Sequence, residues 1–156
     1  MMVAIPVHLA TTTSAAAFLQ CVIYVRSVTG FELFGDAWTW WDQAKPRYDR
    51  AQFPQPGSAL VFKKTPKMRS GHVAVVREVR GSREVLVDHA NWAARGTGKG
   101  RLSKNVSIID VSPKNDWTQV RVWYPPVSDY GSPYLTYGFV LPDVQQATYR
   151  DTGPNY

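Results

Sequence analysis

Residues 71–92 read GHVAVVREVRGSREVLVDHANW, and the way this stretch folds back on itself decides the fold. Runs rich in Val flank Arg80-Gly81-Ser82-Arg83, with glycine where a two-residue type II′ turn needs it. The stretch predicts an antiparallel hairpin of strands 71–79 and 84–92, closed by Gly81-Ser82. In that register Val76 faces Val87, Ala74 faces His89 and His72 faces Asn91. Side chains alternate along a strand, so His72, Ala74, Val76 and Glu78 share one face with Val85, Val87, His89 and Asn91. His89 lies diagonal to His72, within reach of its imidazole. Asp88 falls on the opposite face, where Arg77 is its expected ion-pair partner. A one-residue slip would exchange the two faces.

Outward from the hairpin, period-two segments continue at 58–62, 106–111, 117–124 and 135–141. Pro54-Gln55-Pro56-Gly57 marks the turn before the first of them. Upstream, QCVIYVRSV at 20–28 reads as a short helix stopped by Gly30. A second helix is expected from Asp36 through AWTWWDQA, ending before Pro46. Helices first and strands afterwards predict an α+β fold, with N-terminal helices packed on an antiparallel β-sheet. Residues 1–14 read as an extended N-terminal arm. The Pro-, Gly- and Tyr-rich segment 125–156 reads as a C-terminal extension docked on the domain.

The chain has 156 residues, of which 44% are hydrophobic and 19% charged, a globular profile for one domain. The longest apolar stretch, Ala15 to Val25, is broken by Gln20 and falls short of the about 20 residues that span a bilayer. The first basic residue is Arg26, so no targeting signal is legible. Net charge is +6, and residues 63–104 hold 11 Lys and Arg against 3 Asp and Glu. Such a local basic surface attracts polyanions.

A single cysteine excludes an internal disulfide framework and a Cys-based zinc site. Cys21 stands near a helix start, where backbone N–H groups lower a thiol's pKa. Thiol catalysis needs that thiol, an imidazole to take its proton and a polar group to orient the imidazole. Cys21, His72 and either His89 or Asn91 supply these residue types. The alternative is an inert, buried cysteine. His8, in the arm, is read as outside the site, and no metal or other cofactor is expected.

QCVIYVRSVTG at 20–30, PQPGSALVF at 54–62, GHVAVV at 71–76 and VDHANW at 87–92 together resemble the CHAP family, the cysteine, histidine-dependent amidohydrolases/peptidases. The resemblance covers residues 15–124 and implies a papain-like α+β catalytic domain that cleaves amide bonds in bacterial peptidoglycan. Cys21 matches the nucleophile and His72 the general base. The family's third position is commonly Glu in a Glu-x-Asn pattern. Here it reads His89-Ala90-Asn91, which leaves open whether His89 or Asn91 orients His72. Gln20 matches the family's Gln-Cys pair and is a candidate for the oxyanion hole, and Trp92 for a wall of the substrate groove. Residues 1–20 hold no Asp or Glu, so the acidic calcium loop of several members is not expected. Peptidoglycan is the expected partner, with no nucleic acid and no transmembrane segment, and the chain is expected to be a monomer. The implied location is the periplasm or the exterior, with the cytoplasm left open. The rival functions are an amidase acting on a small conjugate such as glutathionylspermidine, and a catalytically silent basic binding module.

Overall fold

A computed structural model of the chain describes residues 20–92 and 100–143. The arm 1–14, His8, nearly all of the acid-free segment 1–20 and the end of the C-terminal segment lie outside the described residues. Among those described, helix α1 spans Cys21–Thr29 and a 3-10 turn at Ala37–Thr39 leads into α2, Trp40–Ala44. Strands follow at β1 Arg50–Ala51, β2 Ala59–Phe62, β3 His72–Gly81, β4 Glu84–Ala90, β5 Leu102–Asp110, β6 Gln119–Tyr124, β7 Asp129–Tyr130 and β8 Tyr134–Val140. Gly30 ends α1 in the left-handed conformation (φ 78°), its N–H donating to Arg26 O at 2.9 Å.

The strands run antiparallel in the order β1-β8-β2-β3-β4-β5-β6-β7, and β8 also pairs with β6. Leu60 lies opposite Phe139 on one side of β8, and Gln119 opposite Leu135 on the other. Strands β8, β2, β3, β4, β5 and β6 thereby close into a six-stranded barrel. This corrects the expected papain-like α+β architecture of N-terminal helices packed on a sheet. The reason is one of coverage. Strand β2 is buried on both faces and β4 nearly so, but helices of nine and five residues shield only part of one face. The sheet covers its other face by curling onto itself, which leaves only the two-residue strands β1 and β7 at its edges.

Two cores result. Leu60, Phe62, Ala74, Val76, Val85, Val87, Ile108, Trp117, Val120, Val122 and Phe139 fill the barrel interior. Tyr24, Val25, Leu33, Trp40, Val61, Val73, Val75 and Ala90 form a second layer between the helices and the outer face of β2–β4. Burying a Val, Leu or Phe side chain contributes about 1.5–3 kcal/mol, so both layers hold the strands that carry the site.

The hairpin differs from expectation at its tip. The turn is at Ser82-Arg83, with Gly81 opposite Glu84 and Val79 opposite Val85. Irregularities between Val76 and Glu78 and between Val79 and Gly81 absorb the shift. Below them Val75 faces Asp88 and Val76 faces Val87, the register read from the sequence.

Candidate functional site

Cys21 is the first residue of α1 and His72 the first of β3, so each of these two side chains stands at the end of a regular element. Helix α1 packs on β3 and β4, which brings the Cys21 thiol against the backbone N–H of Val73, the residue after His72. The backbone N–H groups of Val22 and Cys21 at the helix start also favour the charged sulfur. These donors favour a thiolate, but burial outweighs them and pushes the thiol above its ordinary value. This corrects the expectation that the helix start lowers it.

His72 and His89 are buried against each other, Phe62 and Trp92, and are 3% and 1% exposed. His72 Nε2 lies 3.0 Å from His89 Nδ1. Burial, then the neighbouring His89, holds His72 well below the usual imidazole range. Burial pushes His89 down to about 4, with the Asp88 carboxylate opposing. Both rings are therefore neutral at pH 7, and one must donate and the other accept across the 3.0 Å contact.

Trp92 is half-buried and packs against both imidazoles, with ring centroids 4.7 Å from His72 and 5.4 Å from His89. Phe62 and Tyr134 stand on the other sides of this aromatic box, 5.3 and 4.9 Å from Trp92. Asn91 takes φ 60° and its side-chain oxygen accepts the Gly100 N–H at 2.8 Å. Among the described residues its side chain forms no hydrogen bond to His72. Gln20 is exposed; its carbonyl accepts the Tyr24 N–H at 3.0 Å, and its side chain makes no capping bond.

On the other face of β4, Asp88 is buried and accepts from Arg77 Nε at 2.8 Å, from the Asn105 N–H at 2.9 Å and from the Tyr24 hydroxyl at 3.4 Å. Arg77 also donates to the Tyr24 oxygen at 3.2 Å. This network ties the helix of Cys21 to the strand of His89. The Arg77 partner is legible from strand alternation. Tyr24, three residues after Cys21, and the Val73 N–H follow only from how α1 docks. Among the described residues no three His, Cys, Asp or Glu side chains converge on a metal position, and no helix is long and apolar enough to cross a membrane.

A family model described as CHAP domain matches residues 11–91. No curated protein matches the chain. Among solved structures, a crystal structure of N-acetylmuramoyl-L-alanine amidase from Staphylococcus aureus is similar at 20% identity with a TM-score of 0.47. The match covers 75% of this chain and 30% of that one.

Proposed function

Because this chain belongs to the CHAP domain family, we propose that it is a thiol-dependent amidohydrolase or endopeptidase that cleaves amide bonds in bacterial peptidoglycan. The observation that carries the reading is the buried His72–His89 contact at 3.0 Å, on the strands against which the helix of Cys21 packs. The proposed site of action is the periplasm or the exterior, where the substrate lies.

In this reading His72 works through Nδ1, since Nε2 is engaged by His89. Nδ1 is free to accept only if Nε2 carries the hydrogen, so His72 donates to His89 Nδ1. As Cys21 Sγ bonds to the substrate carbonyl carbon, its proton passes to His72 Nδ1 and the carbonyl oxygen takes the negative charge. The Cys21 N–H and the Gln20 side-chain amide are the proposed oxyanion donors. The C–N bond then breaks, the proton moves from His72 to the leaving amine, and a thioester on Cys21 remains. Water adds to it, giving a proton to His72 and then releasing the acid as the proton returns to sulfur. The raised thiol and lowered imidazole pKa values favour a resting pair of thiol and neutral imidazole, so proton transfer accompanies attack. Trp92 walls the substrate groove and holds the imidazole pair. His89 is the proposed orienting residue, because the Asn91 side chain is engaged by Gly100.

The test is digestion of purified peptidoglycan, with new termini identified by mass spectrometry. Cys21→Ala is expected to abolish hydrolysis while keeping the melting curve. Parent-like hydrolysis by that variant would end the thiol reading.

A further inference from the structure

Most of the arginines on the strands and after α2 are neutralised where they stand. Arg47 pairs with Glu32, Arg77 with Asp88, Arg80 with Glu78 and Arg83 with Asp110. The β2–β3 connection differs. It carries Lys63, Lys64, Lys67 and Arg69 without an acidic residue between Phe62 and His72. None of the four forms an ion pair with a described residue.

Two of these cations are held by rings instead. Lys64 Nζ lies 4.2 Å from the Trp38 ring centroid and Lys63 Nζ 5.0 Å from that of Tyr137. A ring face steadies an ammonium group without cancelling its charge, whereas a carboxylate does both. The connection is also fixed to the helical layer. The Trp38 N–H donates to Ser70 O, and a Cβ on Gly71 would lie 2.8 Å from Trp38 Cβ. Gly71 immediately precedes His72, so Lys64 on the Trp38 ring stands at the edge of the site.

We propose that Lys63, Lys64, Lys67 and Arg69, with Trp38 and Tyr137, form a docking surface for a phosphodiester-linked glycopolymer attached to the cell wall. Three of the four cations are lysines, compact point charges that bind phosphate without demanding a fixed bidentate geometry. The half-buried rings beside them offer apolar surface to sugar or polyol C–H groups. The wall polymer is favoured over nucleic acid because this surface adjoins the proposed peptidoglycan-cleaving site, and in that respect the inference rests on the proposed function. Docking would hold the enzyme on its substrate between cleavage events.

The experiment is co-sedimentation of the Cys21→Ala chain with sacculi before and after acid extraction of phosphodiester-linked polymer. Four neutralised phosphates imply that affinity falls about 50-fold between 50 and 200 mM salt, taking the single-strand slope of about −0.7 per contact. Changing Lys63, Lys64, Lys67 and Arg69 together to Gln should remove both the salt dependence and the difference between the two sacculi. A variant with the three lysines changed to Arg should keep binding, which separates charge from misfolding. Equal binding to extracted sacculi, undiminished binding by the Gln variant with native-like melting, or tighter binding to DNA than to the polymer would each overturn the proposal. Hydrolysis by the parent chain of a soluble peptidoglycan fragment lacking the polymer is read separately. Failure there counts against the proposed function and leaves the docking result standing.

Discussion

Replacing His89 by Gln keeps a polar side chain in the buried contact with His72 but removes a titrating group. The folded chain holds His89 neutral down to about pH 4, because burial opposes its charge. The unfolded chain protonates it below about pH 6.5. Between these values the unfolded state binds more protons. The stability that His89 contributes is therefore complete above pH 6.5 and is lost as pH falls toward 4. The loss at pH 5 works out to about 2 kcal/mol, and below pH 4 it approaches about 3 kcal/mol. For a chain of this length that is a fall in Tm of about 4–8 °C between pH 8 and pH 5 from this residue alone. His72 adds to it in the same direction, and its share shrinks when His89 no longer repels its charge. The assay is thermal unfolding of parent and His89→Gln at both pH values, comparing the pH-induced shift and not the absolute Tm. The variant should lose a large part of the shift. An equal shift in both proteins would refute the claim that His89 is buried and neutral.

Other perturbations separate chemistry from scaffold. His89→Ala should lower kcat by about 10–100-fold, short of the Cys21→Ala loss, because an unheld imidazole samples wrong tautomers and rotamers. Asp88→Ala should leave kcat within about threefold but cost about 1–3 kcal/mol in denaturant titration, since it strands buried donors; a reversed pattern would place the orienting role on Asp88. Alkylation of Cys21 by iodoacetamide should rise to a midpoint above pH 9, as burial raises the thiol; a midpoint below pH 7 would show that the helix start wins. Gly71→Ala should destabilise the chain by about 1–3 kcal/mol and reduce activity. Its φ is +67°, and the new Cβ would stand 2.9 Å from the Phe62 carbonyl oxygen; an unchanged melting curve would refute this.

The site's geometry is legible where it depends on local alternation. Period two along 72–76 and 85–89 puts His72 and His89 on one face and Asp88 with Arg77 on the other, and the contacts at 3.0 and 2.8 Å follow those faces. The turn is one residue from its expected place, yet two irregularities restore the register before it reaches the histidines. Three features depend on distant parts of the chain and are not legible. Barrel closure needs β8 to meet both β2 and β6, and no local pattern in LTYGFVL specifies two partners. The direction of the thiol shift is set by how deeply α1 docks, which a helix start does not reveal. The Asn91 side chain turns to Gly100 because its backbone is left-handed (φ 60°), where simple strand alternation has ended.

Closure by β8 also orders events during synthesis. Phe62 is adjacent in chain to the cations of the β2–β3 connection, but β2 has its second neighbour only when Thr136–Val140 arrives, more than seventy residues later. Contacts this far apart in sequence slow folding, since the loop entropy is lost before the pairing repays it. Until then Leu60 and Phe62, both fully buried in the finished barrel, lack the strand that covers one of their flanks. A ribosome-bound chain that has emerged only as far as residue 124 holds Cys21, His72 and His89 but not the enclosure that keeps the two imidazoles dry. The burial that shifts both histidines would be incomplete, and the three side chains would take their mature electrostatics only as the last strand seats.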